Sequence, residues 1–305
     1  MKKTIQAFFF RTMILSVLVV FALAGQSQAG GGGHYPNGAE DFMVGALPPP
    51  GAYLVNYLMV IQKNELAGKA GAGLDFKASV VAEVPRLVYV TPLTLFGANW
   101  AMHAFLPIYS ANVQIKAGGN KVLDKSDTNI GDIIFSPIVF GWHFGPELHA
   151  VAALDIYAPS GNYDKNNAAT TLLSKNHWTF EPAVAVSYLK EGFDISAKLM
   201  YDFNTRNSAT LTDPGQEFHL DWALGYGLKN GLSGGLVGYN YWQVTEDKVN
   251  GVSDNDKSQI GGIGLGVKYW PKMGPFSMTL KQYWEYAAKN TAAGYQTVFK
   301  INYAF

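Results

Sequence analysis

Long stretches of this chain alternate apolar and polar residues, and this period of two limits the fold more than any other feature. The stretch YQTVFKINYAF at 295–305 carries aromatic and aliphatic residues at one parity and mostly polar residues at the other. The stretches at 193–204 and 216–228 alternate in the same way. Successive side chains of a β-strand point to opposite faces, so the pattern indicates strands with one apolar face.

The connections between these stretches are sorted by length. We predict twelve strands, near residues 52–65, 74–90, 98–115, 130–144, 147–158, 177–190, 193–204, 216–228, 232–245, 258–270, 275–287 and 293–305. The connections after the even-numbered predicted strands are short, such as GP at 145–146. Those after the odd-numbered predicted strands are long and polar, such as 116–129 and 159–176. A soluble sandwich would alternate too, but it has no reason to sort its loops in this way.

These features predict an all-β fold, a transmembrane antiparallel β-barrel of the bacterial outer membrane, with short periplasmic turns and long outer loops. Strands of this length exceed the usual five or six residues of globular proteins. We expect about 12 strands and keep 14 as the alternative, because 52–65 and 98–115 alternate poorly. Outer-membrane lipid is then one partner. The barrel assembly machinery is another, through the aromatic C-terminal residue Phe305.

The first 29 residues have the composition of a signal peptide. A basic start is followed by an apolar run at 13–24 and by small residues that end at Ala29. We therefore expect cleavage near Ala29 and export to the outer membrane of a Gram-negative cell, with residues 52–305 forming the barrel. Without the leader the chain has 20 basic and 23 acidic residues, so we expect no nucleic-acid partner.

No catalytic pattern stands out. The chain has no cysteine, and it lacks the HExxH and P-loop motifs. His34, His103, His149 and His219 are scattered along the sequence. We therefore expect neither an enzyme nor a bound metal or cofactor.

If the apolar faces contact lipid, the opposite faces line the lumen. The polar residues expected there are Asp75, Glu83, His103, His149, Glu181, Asp202, Glu217, His219, Asp221, Lys268, Lys281, Glu285 and Lys300. They either form a lattice of ion pairs that stiffens the interior, since buried charges need partners, or line a solute path.

Several short motifs resemble those of one bacterial family. They are HYPNGAEDF at 34–42 with PPPG at 48–51, IGDIIFSP at 130–137, IYAPSGNYD at 156–164, NHWTFEPAVAVSYL at 176–189 and QVTED at 243–247. The chain thereby resembles the outer-membrane, SphA-like family named for the meta-cleavage pathway of phenol degradation. The resemblance implies a Gram-negative outer-membrane protein linked to aromatic-compound catabolism, which admits hydrophobic substrates.

The function expected is a passive outer-membrane channel for uptake of small hydrophobic, aromatic compounds. Such a solute needs apolar contacts with few polar groups. The residues expected to provide them are Leu54, Leu58, Phe105, Tyr109, Tyr157 and Trp242, unless these only pack against whatever fills the barrel. The alternative function is a closed structural or surface-interaction barrel without transport.

Residues 30–51 precede the first strand and are too few for an independent domain. Pro48–Pro50 form a stiff spacer, while His34, Tyr35, Glu40, Asp41 and Phe42 offer varied contacts, unlike a linker. A disordered tail is the alternative, favoured by the glycines at 30–33. We predict a small plug that folds into the lumen, with Glu40 or Asp41 paired to Lys281 or Lys300.

Overall fold

The computed structural model describes residues 33–68, 71–228, 230–271 and 274–305. The predicted signal peptide at 1–29 lies outside the described residues. The strands are β1 Gly51–Leu66, β2 Leu74–Leu95, β3 Ala98–Phe105, β4 Ile108–Ala117, β5 Asn120–Ile130, β6 Ile134–Phe144, β7 Leu148–Tyr157, β8 Thr179–Lys190, β9 Phe193–Asn204, β10 Thr212–Asp213, β11 Glu217–Gly227, β12 Leu232–Gln243, β13 Lys248–Val249, β14 Val252–Ser253, β15 Gln259–Tyr269, β16 Phe276–Lys289 and β17 Ala292–Ala304. A 3₁₀ turn spans Thr170–Leu172. Within the described ranges, no helix is both long and apolar enough to cross a membrane.

Twelve antiparallel strands close into a barrel. Their order is β1, β17, β16, β15, β12, β11, β9, β8, β7, β6, β3 and β2, and β2 pairs again with β1. Tyr53 shows the closure, because it lies opposite Ala304 on β17 and opposite Val88 on β2. Closure leaves this sheet without open edges along its wall. The twelve-strand prediction is confirmed.

The connection between the barrel strands β3 and β6 forms a separate hairpin, made of β4 and β5. β3 ends before Pro107, which lacks a backbone N–H, and β4 then pairs with the outer half of β2. β5 pairs with β4 from Ala117–Asn120 onward, so the loop predicted at 116–129 is mostly strand and that prediction is wrong. Gly118 and Gly119 both have positive φ, of 55° and 83°, which a two-residue hairpin turn requires.

The outer face of the barrel is apolar. Leu87 is 61% exposed, Leu265 58% and Leu280 52%, and each lies in the middle of a strand. A soluble monomer rarely leaves so continuous an apolar surface uncovered, whereas a barrel in lipid requires it. The alternate residues of these strands therefore face the lumen.

The two ends of the barrel differ. Turns such as Phe96–Gly97 and Glu191–Gly192 are two residues long, whereas residues 158–178, 205–216 and 244–258 form long connections at the other end. β10, β13 and β14 make a small three-stranded sheet within these connections. The long connections therefore lie at the outer end.

Candidate functional site

The segment before β1, residues 33–50, lies inside the barrel, and we call it the inner segment. Asp221, on β11, accepts hydrogen bonds from Tyr35 Oη at 2.6 Å and from the backbone nitrogens of Gly38 and Glu40 at 3.0 Å. From β16, Lys281 Nζ donates to the carbonyl oxygens of Gly38 at 2.6 Å and Ala39 at 2.7 Å. Two separate strands of the barrel wall therefore hold the segment.

Two acidic residues of the inner segment pair with cations of the wall. Asp41 Oδ2 lies 3.0 Å from Lys281 Nζ and 2.6 Å from Lys300 Nζ, as the sequence predicted. Glu40 lies 3.1 Å from Arg86 Nη1 and 3.8 Å from Lys300 Nζ. Burial alone would raise the pKa of Asp41, but Lys281 and Lys300 hold that pKa at about 2. The carboxylate is therefore ionised at neutral pH.

Phe42 anchors the lower half of the inner segment. Its ring is buried against two glycines of the wall, Gly225 on β11 and Gly266 on β15. A Cβ atom at Gly225 would lie 2.7 Å from Phe42 Cδ1, and one at Gly266 would lie 3.0 Å from Phe42 Cε2. These two positions need glycine because the ring approaches the backbone so closely.

Asp132 joins the upper end of the inner segment to the outer loops. It accepts hydrogen bonds from the backbone nitrogens of Gly161 and Lys175, both at 2.8 Å, and lies 2.8 Å from His34 Nε2. The His34 ring also stacks on Tyr157, with ring centroids 5.0 Å apart. Three of the short motifs singled out in the sequence, at 34–42, 130–137 and 156–164, thus meet at one carboxylate.

His177 completes this cluster. Its ring lies edge-on to His34, with centroids 4.9 Å apart. Burial, together with the neighbouring His34, lowers the pKa of His177 to about 4. His177 is therefore neutral at physiological pH.

A cavity of about 320 Å³ lies between the inner segment and the outer loops. One wall is apolar and comes from the inward faces of β1 and β2. The other walls include polar groups of the inner segment, the outer loops and the remaining strands. Apolar lining residues are Met59, Ile61, Phe76, Ala78, Val80, Ala82, Val84 and Ile260, and polar ones include His34, Asp132, Tyr157, His177, Glu217 and Asp247.

The size and lining of this cavity suit a small solute that is mostly apolar. Binding sites for small molecules commonly start near 300 Å³ and combine an apolar surface with a few polar groups. An aromatic ring would contact the β1–β2 wall, and a hydroxyl group would face the polar side. The cavity is the candidate functional site.

Below the cavity, a network of buried charges crosses the lumen. His103 Nε2 lies 2.7 Å from Asp155 Oδ1, and Arg86 Nη2 lies 2.9 Å from His103 Nδ1. Lys198 Nζ lies 3.7 Å from Asp155 and 3.9 Å from Glu181, which accepts a hydrogen bond from Tyr157 Oη at 3.0 Å. Each member has a partner of opposite charge, as burial requires.

The structure places most of the predicted lumen residues on the inner face. His149 is among them and contacts His143 near the periplasmic turn. The inward-facing polar residues are His103, His149, Glu181, Asp202, Glu217, His219, Asp221, Lys268, Lys281, Glu285 and Lys300. His34, Tyr35, Glu40, Asp41 and Phe42 lie in the inner segment. Of the six predicted apolar residues, Phe105, Tyr109 and Tyr157 face inward, and only Tyr157 lines the cavity.

The orientation expected for Asp75 and Glu83 is wrong. Both are exposed on the outward face of β2, where Glu83 accepts a hydrogen bond from Asn56 at 3.3 Å. The inward face of β2 is instead the apolar cavity wall. Charge therefore gives the wrong face for this strand.

Leu54, Leu58 and Trp242 also face outward, against expectation. Leu58 and Trp242 are each 39% exposed, and Leu54 lies opposite the exposed residues Leu87 and Tyr303. The neighbours Tyr57, Met59 and Tyr241 occupy the inward face instead. β1 is apolar on both faces, so its alternation does not reveal which face is inward.

Several inward residues were not anticipated. Arg86 pairs with Glu40. The sequence could have indicated this, because Arg86 is a single cation between Val84 and Val88 on the same face of the strand. Tyr239 and Tyr283 pack together in the lumen with ring centroids 5.3 Å apart. Both tyrosines alternate in step with polar residues, which would place them in the lumen. Tyrosine is also common where barrel strands meet the lipid interface, so the residue type alone does not reveal which face it occupies.

A titratable carboxyl lies in the outer connection after β12. Asp247 Oδ1 accepts hydrogen bonds from Gly215 N and Gln243 Nε2, both at 2.6 Å. Burial, followed by the charges of Asp254 and Glu217, raises the pKa of Asp247 from 3.8 to about 7. The protonated carboxyl thus favours this loop arrangement, and the advantage is lost as the pH rises through about 7.

We expect hydrogen exchange at the Gly215 amide, corrected for its intrinsic rate, to be several-fold faster at pH 8.5 than at pH 5.5. Asp247→Asn should remove this difference, because the amide cannot ionise. The measurement is hydrogen exchange with mass spectrometry on the protein in detergent. An equal pH response in both proteins would contradict the assignment.

Three further side chains come together beside the cavity. Asp202, Glu217 and His219 each place one potential metal ligand within 4.8 Å of the others. Sequence spacing does not reveal this group, because Asp202 lies on a different strand from the other two. No other such group occurs among the residues that the structure describes.

Comparisons with known proteins agree with the fold. The family model described as "Putative MetA-pathway of phenol degradation" matches residues 51–301. The COG4313 outer-membrane channel from Pseudomonas putida F1 is 16% identical, with a TM-score of 0.75 over 86% of this chain and 98% of that chain. At this identity the similarity establishes the barrel fold alone. A comparison with curated proteins gives no match.

Two other solved structures are more distant. The Ralstonia pickettii toluene transporter TbuX is 12% identical, with a TM-score of 0.46 over 92% of this chain and 97% of that chain. The translocator domain of the autotransporter NalP from Neisseria meningitidis is 8% identical, with a TM-score of 0.48 over 86% of this chain and 91% of that chain. Neither similarity is high enough to carry an argument.

Proposed function

The chain belongs to the family described as "Putative MetA-pathway of phenol degradation", and from this premise we propose that it is a passive outer-membrane channel for small hydrophobic, aromatic compounds. The observation that carries the proposal is the cavity of about 320 Å³ with its apolar β1–β2 wall. A lumen for hydrophilic solutes would be polar on all sides. The cavity instead offers an apolar surface facing a few hydrogen-bonding groups.

The position of the cavity suits uptake from outside. It lies under the outer loops, and the inner segment separates it from the periplasmic end. A solute that binds there must displace part of the inner segment to continue inward. We therefore propose that the inner segment acts as a plug that gates the passage.

A closed barrel without transport is the second candidate. The observation that favours it is the burial of Asp41 between Lys281 and Lys300, because such an ion pair resists opening. In this alternative the inner segment is a permanent seal and the cavity is a by-product of packing. The two candidates differ in whether an aromatic solute binds and crosses.

Filling the cavity tests the binding step. Ala82 is buried on the cavity wall, and Ala82→Trp places a large ring in the space proposed for the solute. We expect phenol or toluene to bind at least about tenfold more weakly, a loss of about 1.4 kcal/mol. Isothermal titration calorimetry on the protein in detergent measures this.

Val81→Trp is the matched control, because Val81 is the adjacent residue and faces outward. It should bind the solute like the unmodified chain. A shift on heating in gel electrophoresis shows that both variants form folded barrels. If the unmodified chain binds neither solute, or if both variants bind equally, the proposed site is wrong.

Transport requires a separate test in cells. A strain that lacks this gene should grow more slowly on a limiting aromatic carbon source, and the intact gene should restore growth. Ala82→Trp should fail to restore growth, whereas Val81→Trp should restore it. Binding in detergent combined with unchanged growth would favour the closed barrel.

A further inference from the structure

We propose that Asp202, Glu217 and His219 form a binding site for a divalent transition-metal ion, and that Zn²⁺ fits it best. The site does not depend on the proposed function. Imidazole nitrogen and carboxylate oxygen are both common zinc ligands. Three protein ligands leave a further coordination position for water or another oxygen donor.

Strand register brings the three residues together. Glu217 on β11 lies directly opposite Asp202 on β9, and His219 is two residues further along β11. Residues two apart on a strand share a face, so all three side chains point into the lumen. Rigid barrel strands fix the ligands, which a metal site requires.

The distances fit one ion. His219 Nε2 lies 3.4 Å from Asp202 Oδ2 and 3.9 Å from Glu217 Oε2. Two ligand atoms held tetrahedrally about 2.1 Å from zinc would be separated by about 3.4 Å. All three ligand atoms lie within 4.8 Å of one another, and side-chain rotations that draw the two carboxylate oxygens closer together would complete the coordination.

The atoms that face the site have no hydrogen-bond partner. They are Asp202 Oδ1 and Oδ2, Glu217 Oε2 and His219 Nε2. The Asp202 and His219 side chains are fully buried. Buried polar atoms without partners are uncommon and costly, so four of them in one cluster indicate an occupant.

Charge gives an independent argument. Among the described residues, His219 is the only group within ion-pair distance of Asp202 or Glu217. Of the nearby cations, Lys198 is paired with Asp155 and Glu181, and Lys175 attracts Glu217 only from beyond ion-pair distance. Protonation of His219 would supply one positive charge for two buried carboxylates, whereas a divalent ion balances both.

Neighbouring residues orient the ligands. His219 Nδ1 donates to Asn37 Oδ1 at 2.7 Å, which leaves Nε2 with a lone pair directed at the site. Tyr241 Oη donates to Glu217 Oε1 at 2.8 Å, which leaves Oε2 free. Outer hydrogen bonds of this kind are typical of metal sites, where they fix the ligand and its tautomer.

The inner segment covers the site. A Cβ atom at Gly33 would lie 2.2 Å from Glu217 Oε2 and 3.3 Å from Asp202 Oδ2, so a larger residue there would have to displace the Glu217 carboxylate. Together with the Asn37 contact, this closeness means that a bound ion would stiffen the wall against which the inner segment rests.

Metal content and affinity test the proposal. The full chain in detergent is stripped with a chelator and titrated with Zn²⁺ at pH 7.5 by calorimetry, and bound zinc is measured by mass spectrometry. We expect one zinc per chain. His219→Gln should abolish binding, and the isosteric Asp202→Asn should weaken it about 10- to 100-fold.

His149→Gln is the matched control. It disrupts a histidine pair away from the proposed site, in which His143 Nδ1 lies 2.7 Å from His149 Nδ1, and it should leave the stoichiometric site intact. X-ray absorption at the zinc edge should show one imidazole nitrogen with oxygen ligands. Gel shift on heating verifies that the variants are folded.

Three results would overturn the proposal. They are no stoichiometric zinc in the unmodified chain, loss of zinc in His149→Gln, and unchanged affinity in a folded Asp202→Asn. In the first case a protonated His219 would be the only described counter-charge within ion-pair distance of the two carboxylates.

Discussion

Asp41→Ala is expected to turn a closed barrel into one that conducts ions. Asp41 is 2% exposed and lies between the Lys281 and Lys300 ammonium groups. Its removal leaves Lys281 with backbone carbonyl partners only, and Lys300 with Glu40 at 3.8 Å. Breaking a buried ion pair on one side costs about 3–5 kcal/mol.

The loss of Asp41 destabilises the state in which the inner segment is docked, relative to states in which it has left the lumen wall. Every 1.4 kcal/mol changes an equilibrium about tenfold, so the docked population should fall at least about a hundredfold relative to undocked forms. Single-channel recordings in planar bilayers should show frequent openings that the unmodified chain lacks. Phe42 and the hydrogen bonds to Asp221 remain, so the segment should exchange between docked and undocked positions.

Asp75→Ala is the matched control, because it removes the same charge from an exposed, outward-facing position. Its recordings should match those of the unmodified chain. The double variant Asp41→Ala with Lys300→Met should conduct less than Asp41→Ala alone, since it removes one unpaired charge. Equal, low conductance in all four proteins would show that these ion pairs do not hold the segment.

The pKa of Asp41 sets the pH range of this effect. Because burial is outweighed by Lys281 and Lys300, the pKa falls from 3.8 to about 2. The contribution of the lowered pKa to docking is therefore present above about pH 4 and lost as the pH falls through about 2. The unmodified chain should stay closed between pH 7 and pH 4.

The barrel and the docked inner segment were predictable because the alternation of apolar and polar residues, and the need of buried charges for partners, can both be read from the sequence. Alternation fixed the inward face of strands such as β11, where Glu217, His219 and Asp221 oppose large apolar residues. The pairing of Asp41 with Lys281 and Lys300 followed from the scarcity of other partners for buried charges. In both cases one type of interaction dominates the outcome.

The cavity was not predictable because its main wall reverses the polarity expected of a barrel strand. β2 carries Val80, Ala82 and Val84 inward and the charged residues Asp75 and Glu83 outward, so its alternation indicates the wrong face. Only the closure of β1 on β2 and β17 decides the orientation. A period of two reveals that two faces exist, but it identifies the inner face only where lipid and lumen select different residues.

Contacts between distant segments were also beyond the sequence. Asp202, Glu217 and His219 meet because of the register between β9 and β11, which alternation alone does not specify. Asp132 is a single acid in a short motif, and its partners come from residues 34, 161 and 175. Such clusters need the three-dimensional arrangement, because no fixed spacing marks them.

Deleting residues 34–47 is expected to raise permeability more than any point substitution. The deletion removes the contacts to Asp221, Lys281 and Arg86 together with Phe42, and leaves Pro48–Pro50 to lead into β1. It also removes His34–Asn37, which line one side of the cavity. We therefore expect high conductance and, at the same time, loss of aromatic solute binding.

Solute selectivity then separates a gate from a seal. In liposome assays a gated channel admits phenol faster than protein-free liposomes do but excludes a polar sugar such as arabinose, and the deletion admits both faster. A permanent seal excludes arabinose and leaves phenol entry at the protein-free rate in the unmodified chain, and the deletion speeds the entry of both. Unchanged permeability to both solutes after the deletion would contradict either role for the inner segment.

A variant of unchanged length completes this comparison. Replacing residues 34–47 by a flexible Gly/Ser linker of the same length keeps the chain in place but removes its specific contacts. If docking depends on Asp41, Phe42 and the Asp221 hydrogen bonds, the linker variant should be as permeable as the deletion, because a flexible chain gains too little to offset its loss of entropy in the lumen. Restored exclusion of arabinose would mean that bulk alone closes the barrel, and the ion pairs would then serve stability and not gating.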